Sequence, residues 1–332
     1  MVKYTDAGIS PRTQTYAALK MLRHAGPVMV LDKLGETKPM PKNKGLEMKF
    51  RRPIPFTAST TPLVEGVTPD GTTFAYEDVT VSLQQYGDWS NFTDVIEDTH
   101  EDPVINSMAE MHGENIGRTM EALNYGVVKG GTSVTYATGT ARNATAHAIS
   151  LTKQRAIIRS MKAQKAQKIT SILSSSVLYG TRSVHGAYIA VGHTDLESDI
   201  RSMPGFKDVA DYGTRSTVSE YEIGSVEDVR YILSPDLAPF LGAGASVGST
   251  GMVAADDTNI DVYPILIFGK YAWATVPMRG GDSISPTVIS AGKKTKDDPL
   301  GQRGVMAWKG WHAAVILNDD WMMRYEVAVS AL

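Results

Sequence analysis

The chain has 332 residues, a formal net charge of −3 and no cysteine, with 42% hydrophobic and 21% charged residues. There is room for one large domain or two ordinary ones, and the balance excludes global disorder and argues against a dedicated nucleic-acid binder, whose domain would be strongly basic. Without cysteine, disulfides, a thiol nucleophile and cysteine-ligated metal centres are excluded.

Met1-Val-Lys-Tyr-Thr-Asp6 has no signal-peptide character, and the strongest apolar stretches, 263–268 and 313–317, are too short to span a bilayer. The expectation is a soluble protein made in a reducing cytoplasm. Residues 1–45 read as an arm with little core of its own. Ser10-Pro11 caps a short helix carrying Tyr16, Leu19 and Leu22, Gly26-Pro27 stops it, and 38–45 is extended linker. Residues 46–94 read as two strand regions flanking a long excursion, with Phe74, Tyr76, Val79, Val81 and Leu83 at near period two. Thr68-Pro-Asp-Gly71 is a turn, since Pro69 presets φ, Asp70 bonds nearby backbone and Gly71 accepts positive φ. A two-stranded excursion is marginal in water and needs a surface to lie against, on this subunit or on another.

The clearest helix is 103–129. Asp102 is its N-cap and Pro103 its first residue, with Asp98 and Glu101 placed well for the helix dipole. Val104, Met108, Met111, Ile116, Met120, Leu123 and Val127 form its apolar stripe, and Gly130-Gly131 ends it. Gly113 and Gly117, one turn apart, each cost about 1 kcal/mol against alanine, which suggests close approach by another backbone. A second helix is expected at 151–173, basic through Lys153, Arg155, Arg159, Lys162, Lys165 and Lys168. Tyr188–Val191 reads as a buried strand, and Thr194 with Glu197 as a capping box. Strands are expected at 223–233, 263–268, 271–276, 284–289, 305–317 and 322–329. Helices and strands mix without regular alternation, so the class is α+β.

Signals for chemistry are few. Gly244-Ala-Ser246-Val-Gly248 matches the nucleophile-elbow pattern, but neither flank reads as the strand or helix that would make Ser246 a nucleophile, so a flexible loop is preferred. Asp94, Glu97, Asp98, His100, Glu101 and Asp102 suit a hard cation less well than a helix start, and His193, Asp195 and Glu197 likewise read as a strand end and helix start. The basic helix is a candidate for phosphate contact, although a solvated face or an acidic neighbour explains it more simply.

The stretches 67–87, 93–103, Asp261-Val-Tyr-Pro-Ile-Leu-Ile-Phe-Gly-Lys270, Asp298-Pro-Leu-Gly-Gln-Arg-Gly304 and Trp308-Lys-Gly-Trp-His-Ala-Ala-Val-Ile-Leu-Asn-Asp319 together resemble one family. It is the family of tailed-phage major capsid proteins typified by the podophage N-four coat protein. The resemblance runs from about residue 48 onward and is weakest in the arm, at 132–150 and at 238–258. It implies the Hong Kong 97-type capsid fold: an N-terminal arm at 1–50, an extended loop at 51–78, a peripheral domain at 79–149 and 291–332 with spine helix 103–129, and an axial domain at 150–290. It further implies a structural virion subunit, assembled in the bacterial host cytoplasm into hexamers and pentamers around double-stranded DNA that it contacts only non-specifically. Scaffolding, portal and decoration proteins are the implied partners, with no catalytic residue, cofactor, metal or membrane. The alternatives are an encapsulin-like nanocompartment shell and, from another class, a serine hydrolase using Ser246.

Overall fold

A computed structural model describes residues 20–21, 29–41, 43–63, 65–68, 70–99, 104–173, 181–213, 217–248, 251–278, 284–289, 291–292, 294 and 298–331. Its elements in chain order are β1 (Glu36–Thr37), β2 (Glu47–Pro53), β3 (Tyr76–Ser82), β4 (Gln84–Thr93), α1 (Asp94–Thr99), α2 (Val104–Val128), β5 (Val134–Tyr136) and α3 (Leu151–Ala163). They continue with β6 (Ile169–Leu173), β7 (Thr181–Gly192), α4 (Glu197–Arg201), β8 (Phe206–Asp208), β9 (Glu222–Val226), β10 (Val229–Leu233) and β11 (Tyr263–Phe268). The last are β12 (Trp273–Thr275), β13 (Ile284–Ile289), β14 (Arg303–His312), β15 (Ala314–Ile316) and β16 (Met322–Val327).

The largest sheet runs β5-β16-β11-β7-β10-β9-β8, with β6 also paired to β7. Every residue of β10 and β11 is buried, as expected for strands covered on both faces. Tyr188, Ala190, Tyr231, Leu233, Ile265 and Ile267 turn to one face, where Ile157, Ile158 and Met161 of α3 cover them. Ile189, Val191, Ile232, Leu266 and Phe268 turn to the other, against Trp273, the arm residues Val30 and Leu31, and Tyr125 and Val128 at the end of α2. One chain segment with period two therefore feeds two cores.

The long helix lies on a second sheet, β13-β14-β4, in which β14 and β4 pair antiparallel from Arg303↔Thr93 to His312↔Gln84. Met306 and Trp308 of β14 face α2, packing on Ala109 and on Ile116 and Met120. Three polar contacts fix the same seam: Ser90 Oγ to His112 Nε2 at 2.6 Å, Trp308 Nε1 donating to Asn115 Oδ1 at 3.0 Å, and His312 Nε2 to Asn124 Oδ1 at 2.8 Å. Burial lowers the pKa of both histidines. At the helix end Arg324 donates to the carbonyls of Lys129 and Gly131, placing a cation where the helix dipole is negative. A β-carbon on Gly131 would come within 2.6 Å of the Met322 methyl, the movable end of a flexible side chain.

The spine reading at 103–129 and the strands at 263–268 and 284–289 match the observed elements closely. Both Gly113 and Gly117 are buried on α2, as the packed reading required. Four readings need correction. The helix expected over 151–173 stops at Ala163; Lys165 turns left-handed at φ 57°, and Ile169 enters a strand against β7, where pairing outweighs the helix propensity of the lysines and glutamines. The strand expected over 223–233 is a hairpin, β9–β10, turning at Glu227 with φ 53°. The strand expected over 305–317 breaks between His312 and Ala314, and its second part pairs instead with β12. The cap after β7 is the His193 side chain, which accepts from the Asp195 N–H, rather than a Thr194–Glu197 box. The Asp102-Pro103 start, the arm helix before Lys20 and Pro69 of the turn lie outside the described residues.

Candidate functional site: an assembly surface

The arm meets α2 at Val30 and Leu31 and the root of the β2–β3 hairpin at Met40. Glu121, fully buried on α2, accepts N–H bonds from Val30 at 3.1 Å and Leu31 at 3.0 Å, clasping the arm across the helix. Burial, with Asp32 and Asp236 nearby, pushes its pKa up to about 8 against the pull of those two N–H groups. Further along the arm, Met40 packs with Met48, Leu83 and Val276 at the root of the β2–β3 hairpin. The hairpin is in register from Glu47↔Ser82 to Pro53↔Tyr76, with exposed ion pairs Arg51–Asp78 at 2.7 Å and Arg52–Glu77 at 2.5 Å. Such exposed pairs hold register and add little stability. The Arg51 guanidinium lowers the Asp78 pKa.

Past the root, packing stops. Every described residue from 54 to 75 is exposed, including Ile54, Phe56, Leu63, Val67 and Phe74, and Tyr76 follows at 52% exposure. Phe74 sits edge-on to Tyr76 at 4.5 Å between centroids and 5.9 Å from Phe56, and the Arg51 guanidinium lies 5.1 Å from the Tyr76 ring. A run of apolar side chains held out in water marks a surface that is completed by something else.

Of the acidic cluster at 94–102, the side chains of Glu97 and Asp98 and residues 100–102 lie outside the described residues. Ser246 is exposed and bridges Asn259 in a loop, without the strand-to-helix turn an elbow needs. That loop is also not slack: Asp261 accepts from Gly242 N–H at 2.7 Å and Ala255 N–H at 2.9 Å, and a β-carbon on Gly244 would meet the Ile260 carbonyl at 2.7 Å. His193 and Asp195 lie 3.1 Å apart, with Asp195 accepting from the Tyr263 hydroxyl at 2.8 Å. Among the described residues, no group of three His, Asp or Glu could hold a metal ion, and no helix is long and apolar enough to cross a membrane. On the basic segment 153–168, Arg155 and Lys162 of α3 pair with Glu227 and Asp228, and Lys168 beyond the helix shares Asp228. The acidic-neighbour reading of that segment therefore holds for these three cations.

A family model described as phage capsid protein matches residues 76–327. The chain belongs to the phage capsid protein family. Within it, the chain is 22% identical to the major capsid protein of Pseudomonas phage KPP21 over 170 residues, 48% of this chain and 43% of that protein. The matched part thus spans less than half the length of that relative. Solved capsids share the fold across far more of the chain. That of Ralstonia phage GP4 aligns at TM-score 0.61 and 10% identity, covering 92% of this chain and 88% of its own. That of Helicobacter pylori bacteriophage KHP40 gives 0.59 at 9%, covering 88% and 87%. That of Cyanophage P-SCSP1u gives 0.57 at 15%, covering 91% and 89%. The fold is the Hong Kong 97 type. The sequence pointed to Phe74 and Tyr76 but missed Phe56 and Glu121. Phe56 shows only as an aromatic between two prolines' neighbourhoods, whereas Glu121 had a visible signal, a carboxylate beside Met120 on the buried stripe.

Proposed function

We propose that this capsid-family chain is the major shell subunit of a tailed phage, self-assembling as hexamers and pentamers into an icosahedral head around double-stranded DNA. Its role is structural rather than enzymatic. The observation that carries the reading is the excursion 54–75, whose exposed apolar side chains have no cover among the described residues of their own subunit. On a shell they lie on a neighbour, and the ion-paired hairpin root sets the angle at which the loop reaches out. The peripheral unit comprises 79–149 and 291–332, the axial unit 150–290, the extended loop 51–78 and the arm 1–50. Strand β16 is the seam, since it belongs to the C-terminal segment yet pairs with β11. Assembly in the host cytoplasm with scaffolding and portal proteins, and non-specific contact with packaged DNA, complete the reading.

Deleting residues 57–73 tests it. The deletion is expected to leave a folded subunit by circular dichroism that builds no closed particles. Normal particles from the deletion would refute the loop as the intersubunit clasp.

A further inference from the structure

Among the described residues the longest strand with an open edge is β4, ten residues long and paired only with β14. Its ladder to β14 uses the even-numbered residues: Asp94 N–H continues it to the Gln302 carbonyl, whereas Trp89 N–H turns aside to the carboxylate of Asp88 at 2.8 Å. The backbone groups of Gln85, Gly87, Trp89, Asn91 and Thr93 therefore point away from the sheet, and all five residues are exposed, Trp89 by 65%. Other edges are blunted in the usual ways. β5 and β8 have three residues each, β13 contains Pro286, and the hairpin carries Lys49, Arg51, Arg52, Glu77 and Asp78. β4 has neither lysine nor proline, and Asp88 is its one charge.

We propose that β4 pairs antiparallel with β4 of a second copy, across a two-fold axis through Trp89; this deepens the shell reading and rests on it. The five outward residues are centred on Trp89, so the edge is complementary to itself. Gln85 meets the partner's Thr93, Gly87 the partner's Asn91, and Trp89 the partner's Trp89, an aromatic cross-strand pair that buries an indole 65% exposed in the single subunit. Asp88 falls opposite the partner's Ser90, a neutral residue, so no like charges meet. Tyr86 falls opposite the partner's Phe92. This is an isologous contact, which closes on itself and does not propagate as a fibre. A nearly uncharged edge gives a charged partner nothing to recognise, which favours a second copy. In the free subunit Asp88 holds the central N–H and shields the edge until the partner strand displaces it.

The absence of native cysteine makes the register directly testable. Gln85→Cys and Thr93→Cys subunits are assembled separately and as an equal mixture, then oxidised mildly. Opposed residues would lie about 5.5 Å apart at Cα, within disulfide range. The mixture is expected to give covalent dimers on a non-reducing gel and each variant alone to stay monomeric. A second variant, Asn91→Pro, removes an outward N–H that β14 does not use. It should melt as the parent does, yet raise the concentration needed for shell assembly by about tenfold or more. If parent shells form but the mixture cross-links no better than its components, the β4 pairing is overturned and the shell reading stands. Cross-linking to a different polypeptide overturns it equally. If the parent forms no assembly at any concentration, both readings fall. Should Asn91→Pro misfold, the cysteine pair alone decides.

Discussion

The large sheet and the extended loop are both rich in apolar side chains, and they use them in opposite ways. Tyr231, Ile232, Leu266 and Phe268 have no exposed surface, because α3 covers one face of the sheet and the arm with the end of α2 covers the other. Between 54 and 75 no described residue is buried, although Phe56, Leu63 and Phe74 are as apolar as anything in the core. Burial of apolar area is what stabilises a fold. The sheet therefore stabilises the subunit, while the loop, which no described residue covers, keeps its apolar area for a neighbour in the proposed shell. Stability and assembly are written into different segments.

Matched truncations should separate the two. Tyr231→Ala opens a cavity in the sheet core, at a cost of about 3–5 kcal/mol, and is expected to lower the melting temperature steeply or prevent folding. Phe74→Ala, also an aromatic loss, should change subunit stability by no more than about 0.5 kcal/mol while raising the assembly threshold measured by light scattering. Equal effects on melting would erase the distinction.

The clasp between arm and spine lies between these extremes and carries a pH signature. Glu121 titrates near 4.5 when free and at about 8 when folded, chiefly because burial disfavours its charge. The folded chain thus holds the proton more tightly than the unfolded one. Its stabilising contribution is complete below pH 4.5 and is lost as pH rises through 8, an effect on the order of 5 kcal/mol. Glu121→Gln, neutral at every pH, should flatten the stability profile between those values, as read by denaturant unfolding at several pH values. An unchanged slope would place the titration elsewhere.

A smaller effect is expected on the spine helix itself. Gly117 is buried on α2, so Gly117→Leu should overpack the site, costing about 1–3 kcal/mol and lowering the melting temperature or blocking shell closure. A raised melting temperature with normal shells would put that face in solvent.

What the sequence made legible follows the same division. Where one segment specifies itself, the reading held: α2 with its glycine stop, the buried run of β11 and the span of β13 lie where periodicity put them, although Met111 of the expected apolar stripe is 64% exposed. Where a distant partner decides, it did not. Ile169 became a strand residue because β7 was available, and the β9–β10 turn formed at Glu227-Asp228, which carries no glycine to announce it. At Glu121 the carboxylate beside Met120 was a visible signal, but its partners Val30 and Leu31, 91 and 90 residues away, were not legible. The loop was legible as a hairpin without cover, since nothing within the chain had to be known to see that it lacked one.

The most direct test of the central claim is negative-stain microscopy of the purified chain, over micromolar concentrations and a range of salt and crowding conditions. Capsomers, tubes or closed shells are the predicted result. A chain that remains strictly monomeric under every condition would contradict the account.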